Sequence, residues 1–185
     1  RRLEREGHAE RFRSDRSGLM EDGETFVAIH NPPLRLVIVG AVHIAQALVP
    51  MARIAGFDPV VIDPRESFAT PERFPDTRLV HDWPDEAVAA IGLDARTALV
   101  SLTHDPKLDD PALAEGLRAG VVYLGALGST RTHASRVARL TEAGFSEAQI
   151  ARINGPVGLD IGAAGPAEIA VSILAEMIAV LRQRG

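Results

Sequence analysis

The sequence predicts a doubly wound α/β fold: a mostly parallel sheet with helices on both faces, preceded by a short N-terminal hairpin appendage. Three observations carry this expectation. Short runs rich in Val and Ile alternate with helical patterns from Leu34 onward. The runs are continuously apolar rather than alternating, which marks strands buried on both faces. The first run ends in Gly40 at the head of a helical pattern, as a strand–turn–helix unit requires.

Composition sets the bounds. A chain of 185 residues, 46% hydrophobic and 24% charged, is long enough for one globular domain with a sizeable core plus an appendage. Aromatics are only 4%, so that core is aliphatic. A net charge of −5 lacks the basic face that a phosphate backbone demands, which argues against a nucleic-acid partner. The absence of cysteine excludes a disulfide framework, a thiolate metal site and a cysteine nucleophile in this chain. No apolar stretch approaches the roughly 20 residues that span a bilayer, and the N-terminus is charged throughout, unlike a signal peptide. A cytoplasmic chain without a membrane partner is expected.

Residues 1–16 hold six arginines and four acidic residues, which suits a solvated helix or flexible arm. An Asp22-Gly23 turn signal between short apolar segments predicts a hairpin over 19–29, and a lone hairpin needs something to lean on. Asn31-Pro32-Pro33 breaks the pattern. The boundary divides the chain into an N-terminal arm and linker (1–32) and an α/β domain (33–185). Strands are expected at 34–39, 59–62, 78–81, 97–102 and 121–125, with helices near 43–55, 85–91, 111–119 and 130–143. Ser146 and Gln149 have capping-box spacing and should open a short helix. The last helix begins near Pro166, with Ile169, Ile173, Leu174, Met177, Ile178 and Leu181 forming one apolar stripe.

Ligands of such sheets bind outside the carboxyl ends of the strands, which selects four turns. The first, Gly40-Ala41-Val42-His43, departs from G-x-G-x-x-G/A: valine stands where a second glycine would let pyrophosphate approach the backbone, while Ala45 still permits helix packing. Gly40 can supply the tight turn, and the helix behind it offers free N–H groups to an anion. Asp63, followed by Arg65, lies 23 residues after Gly40, near the spacing at which an acid hydrogen-bonds a ribose. A structural turn kept for packing accounts for the same residues. The third turn is Thr103-His104-Asp105. The fourth runs from Gly125 to Arg131: Gly125 and Gly128 allow unusual backbone angles, Ser129 can cap a helix, and Arg131 offers a forked donor to phosphate. A well-capped helix start explains Ser129 but not two glycines and an arginine.

His43, His104 and His133, with Asp105, Asp109 and Asp110, raise the question of a metal. No HExxH pair or compact cluster is present, and none is assigned. Tyr123 and Lys107 do not form a Tyr-x-x-x-Lys pair, and no catalytic residues are assigned.

Taken together, GAVHIAQAL, VIDPRESFATPERFP, LTHDPKLDDPAL, YLGALGSTRTHASR and GPVGLDIGAAGPAEIAVSILAE resemble the XdhC/CoxI family, the xanthine dehydrogenase accessory factors. The likeness runs from about Pro33 to the C-terminal helix. It is to the family's C-terminal, Rossmann-like domain rather than its N-terminal one, so that residues 1–32 read as a remnant or variant linker. The resemblance implies a non-catalytic chaperone. Such proteins bind the molybdopterin-type molybdenum cofactor as cargo, protect it while a sulfurtransferase adds its terminal sulfur, and assist its insertion into xanthine dehydrogenase-type molybdenum hydroxylases. The family's first turn often reads G-A-G-H, carrying its positions onto Gly40, Ala41 and His43, with Val42 as the departure. Two competing readings use the same chain: an NAD(P)-linked oxidoreductase, which Val42 and the lack of a proton donor disfavour, and a ligand-free dimerisation module built on the last helix and the hairpin.

Overall fold

The computed structural model describes residue 11 and residues 17–183. The expected helix or arm over 1–16 therefore lies outside the described residues, Arg11 excepted. The hairpin forms from β1 (Gly18–Leu19) and β2 (Phe26–Val27), paired antiparallel. Its turn is closed by Asp22, whose carboxylate accepts from the N–H groups of Glu24 and Thr25 and from the Thr25 hydroxyl. Leu19 and Phe26 remain 56% and 63% exposed, so these side chains do not supply the apolar buttress expected of a lone hairpin.

The domain that follows is one six-stranded sheet, parallel throughout, in the order β5-β4-β3-β6-β7-β8. Its strands are β3 (Leu34–Val39), β4 (Phe57–Ile62), β5 (Arg78–Val80), β6 (Thr97–Ser101), β7 (Tyr123–Ala126) and β8 (Ile153–Asn154). The strand order reverses between β3 and β6, the switch point of a doubly wound sheet.

Strand β3 shows why the apolar runs are continuous. Leu36 and Ile38 join the core layer on one face, with Ala45, Leu48, Ile173 and Met177, while Val37 and Val39 join the other, with Val88, Leu113, Leu117 and Leu140. Side chains alternate across a strand, so the part of a strand covered twice must be apolar at successive positions, as at 36–39. The first face is covered by α1 (His43–Ile54) and α6 (Pro166–Gln183), which pack on one another. The second carries α2 (Pro84–Ile91), α3 (Pro106–Ala119), α4 (Thr130–Glu142) and the short α5 (Glu147–Ile150).

Local chemistry sets the boundaries. Helix α3 starts five residues before the expected position. Pro106 occupies its first turn and the Asp105 carboxylate accepts from the Lys107 N–H, so Pro111 falls inside the helix instead of opening it. The capping box at Ser146 and Gln149 is present. Strand β8 has no counterpart among the expected strands: two residues cannot display a pattern, and Ile153 and Asn154 become a strand only by pairing with Leu124 and Gly125. On α6, Ile173 and Met177 are buried, whereas Ile178 is 38% exposed and leaves the predicted stripe.

One polar clip joins the two sides of the first layer. The Tyr123 hydroxyl, buried in β7, donates to Glu176 Oε2 of α6 at 2.5 Å, and the same oxygen accepts from the Gly158 N–H at 3.0 Å. Burial and the neighbouring carboxylate push the tyrosine pKa far up, so it stays a neutral donor. Tyr123→Phe should therefore cost about 1.5–3 kcal/mol, the range for a hydrogen bond to a charged group. A shift of the urea midpoint at unchanged slope is the measurement; an unshifted midpoint would remove the clip from the account of stability.

Candidate functional site

Because every strand of the large sheet runs in the same direction, the turns after β3, β4, β6 and β7 all lie on one edge. That edge brings together the four turns selected from the sequence.

Gly40 ends β3 with φ +109°, a conformation that strains any residue with a Cβ. A Cβ there would also lie 2.7 Å from Thr103 Cγ2, so the glycine lets the β6–α3 turn close over the β3–α1 turn. Ala41 is fully buried and its N–H donates to Asp63 Oδ2 at 2.8 Å. Val42 is the N-cap of α1 in extended conformation with no side-chain cap, partly buried against the core. His43 is the first, exposed residue of α1.

Asp63, just beyond β4, is 1% exposed. Besides Ala41, it binds the fork of Arg65: Nε to Oδ1 at 2.8 Å and Nη2 to Oδ2 at 2.7 Å, with the Arg65 N–H to Oδ1 at 3.0 Å. Burial raises the carboxyl pKa, but these hydrogen bonds outweigh it and hold the group below its ordinary range. Arg65 itself sits 4.1 Å over the Phe68 ring, and the charge of Asp105 from the β6–α3 turn reaches it.

The third turn is built on Thr103, whose hydroxyl donates to the buried carboxylate of Asp109 at 2.6 Å and accepts from the Asp105 N–H at 3.0 Å. His104 between them is exposed at φ +63°, a left-handed position uncommon for a residue with a side chain.

In the fourth turn the two glycines have different reasons. Gly128, at φ +141°, has the unusual backbone expected of it. Gly125 does not: it lies within β7, and a Cβ would come 2.6 Å from Val157 Cγ2, so close packing by the following loop requires the glycine. Ser129 caps α4 by accepting from the Thr132 N–H at 3.2 Å. Arg131 is exposed on the first turn of α4, at the positive end of the helix.

A residue outside these turns ties them together. Arg136, on α4, is 1% exposed; its Nη2 donates to Leu127 O at 3.0 Å and lies 3.8 Å from Asp109 Oδ2. It thereby links the β7–α4 turn to the acid that holds Thr103. Its Nε and Nη1, the Ser101 Oγ and the His133 Nδ1 are buried with no hydrogen-bond partner among the described residues. Its only sequence signal is a shared helix face with buried Leu140, four residues on. His133 packs against Gly155, where any Cβ would collide with the ring. Burial, with the charge of Arg136 beside it, lowers the histidine pKa and favours the neutral ring. Among the described residues no group of three His, Asp or Glu side chains converges as a metal site, and no helix is long and apolar enough to cross a membrane.

Comparison with known proteins places the chain. It is 35% identical over 179 residues to the uncharacterized protein YqeB of Escherichia coli, covering 97% of this chain and 32% of that protein. It is 34% identical over 149 residues to the molybdenum cofactor insertion chaperone PaoD of the same organism, covering 80% of this chain and 41% of the relative. A crystal structure titled as a xanthine dehydrogenase from Bacillus halodurans superposes with a TM-score of 0.77 at 31% identity, over 90% of this chain and 48% of the other. The chain thus spans a third to a half of the length of the proteins it matches. The profile of the XdhC Rossmann domain matches residues 36–177, the sheet and helices just described, and the chain belongs to that family.

Proposed function

We propose that this chain holds the molybdenum cofactor at the carboxyl edge of its sheet and serves the insertion of that cofactor into a xanthine dehydrogenase-type enzyme. One observation carries the reading: the edge joins two glycine turns, the N-termini of α1 and α4, and the exposed guanidinium groups of Arg65 and Arg131. Helix N-termini, the fork of Arg131 and the remaining Arg65 nitrogen suit a phosphate-bearing ligand, and molybdopterin carries a phosphate. The name of the PaoD relative, a molybdenum cofactor insertion chaperone, supports the same cargo. Gly40, Ala41, Val42, His43, Asp63, Arg65, Thr103, His104, Asp105, Gly125, Gly128, Ser129 and Arg131 form or support the site.

The residues of the edge bind and orient rather than react. His43, His104 and Arg131 are exposed and available to a ligand, while Thr103 and Asp109 bond each other beneath them. In this reading the chain works in the cytoplasm, and a sulfurtransferase acts on the cofactor while it is held. Self-association through α6 would use Val171 and Ile178, which are 46% and 38% exposed. The division at residue 33 separates this binding unit from the preceding arm.

Native mass spectrometry of protein purified from molybdopterin-producing cells should show a bound pterin that is released on denaturation. Protein that carries none, from cells shown to make the cofactor, would overturn the reading. Arg131→Ala should weaken cofactor binding by about 1.5–3 kcal/mol, the scale of a charged hydrogen bond, and leave the melting temperature nearly unchanged. Equal binding with lowered stability would make Arg131 part of the helix cap alone.

Val42 sets a further expectation. Valine replaces the glycine that lets a dinucleotide pyrophosphate approach the backbone, so NAD(P) should bind weakly, and Val42→Gly should raise its affinity without creating hydride transfer. Calorimetry with NAD(H) and NADP(H) on both forms decides this: tight binding by the unaltered chain would reject the steric argument, and substrate-dependent NADH oxidation would favour the oxidoreductase.

A further inference from the structure

The acid that reads a ribose in nucleotide-binding sheets of this topology is not free to do so here. Asp63 is 1% exposed and both of its oxygens are occupied. Oδ1 accepts from the N–H and Nε of Arg65, and Oδ2 accepts from the Ala41 N–H and Arg65 Nη2. Four donors fill the roughly four acceptor positions of a carboxylate. A ribose diol arriving at the end of β4 finds no acceptor.

It finds Arg65 instead. Two of the three guanidinium nitrogens are clamped to Asp63, the plane lies over Phe68, and the side chain is 41% exposed. The clamp fixes the orientation of the fork, so the remaining nitrogen, Nη1, is held as a preoriented donor rather than a wandering charge. A ligand that benefits from it must bring acceptors without needing one in return. A phosphate monoester does; a sugar diol, which also needs to donate, does not.

We propose that Arg65 makes this corner of the edge a subsite for a terminal phosphate monoester and turns it against a ribose diol. The assignment rests on the reading that the carboxyl edge is the cofactor site. It adds that the cargo is held in the form that ends in the phosphate of molybdopterin, without an appended nucleotide.

The corner can be tested apart from the cargo with NADP⁺ and NAD⁺, which differ by one phosphate monoester on a ribose. By isothermal titration at the high nucleotide concentrations that weak binding requires, the unaltered chain should still bind NADP⁺ about tenfold more tightly than NAD⁺, the change expected from one charged hydrogen bond. Arg65→Ala should erase that preference; if this variant does not fold, Arg65→Gln, which keeps the length but not the fork, takes its place. Equal affinities, no measurable binding of either nucleotide, or a preference that survives the loss of Arg65 would each overturn the assignment. Co-purification of molybdopterin is scored on the same preparations. Retained pterin without the NADP⁺ preference overturns the corner and spares the cargo, whereas the preference without retained pterin overturns the cargo and spares the corner.

Discussion

The buried carboxylate of Asp63 is the constraint on which the carboxyl edge of the sheet depends. An ionised acid out of water is tolerated only if its oxygens are filled, and here the filling groups are the backbone of the first turn and the side chain of the second. The same bonds that stabilise the charge thus fix Ala41 against the end of β4 and set the plane of Arg65. Geometry at the β3 and β4 turns is one unit because it shares one carboxylate.

A second buried acid does the corresponding work across the switch point. Asp109 accepts from Thr103, and Arg136 reaches both toward Asp109 and to Leu127 O, so the β6 and β7 turns are also joined from beneath. Burial pulls the pKa of Arg136 down, yet two nearby carboxylates oppose the shift. The two halves then meet where Gly40 lies under Thr103, a contact that exists because neither a Cβ nor an ordinary backbone angle is present at position 40. His43, Arg65, His104 and Arg131 are exposed above them, together with Asp105. Rigid acids below and exposed cations or imidazoles above make an acidic chain locally suited to an anion, although its net charge is −5.

This arrangement also explains why likeness to a dinucleotide site is only partial. The strand order, the first turn and the following helix are those of a nucleotide-binding sheet, so fold alone would suggest NAD. Two positions differ from such a site: valine, packed against the core, stands at the second-glycine position of the first turn, and Arg65 consumes the acceptor capacity of Asp63. Function on a shared fold is decided at this scale.

The alternation of strand and helix was determined by the sequence itself, since the stretches of a strand covered on both faces are apolar at successive positions, and that requirement is visible in 36–39 and 98–100 without any partner. So were Gly40 as a tight turn and Ser129 and Ser146 as caps, because caps and turns are made by residues close in the chain. Tertiary structure alone decided what depends on pairing at a distance. Strand β8 exists only beside β7, Gly125 is required by Val157 rather than by its own backbone, and Arg136 is drawn inward by Asp109 and Leu127. Asp63 shows the division most plainly: its spacing from Gly40 marks it as a candidate ribose acceptor, but its oxygens are closed to a ribose by a backbone N–H 22 residues away and by a neighbouring arginine whose side chain could equally have faced solvent. Periodicity and capping are local and can be read along the chain, whereas the occupancy of a lone pair is settled only when the strands have taken their order.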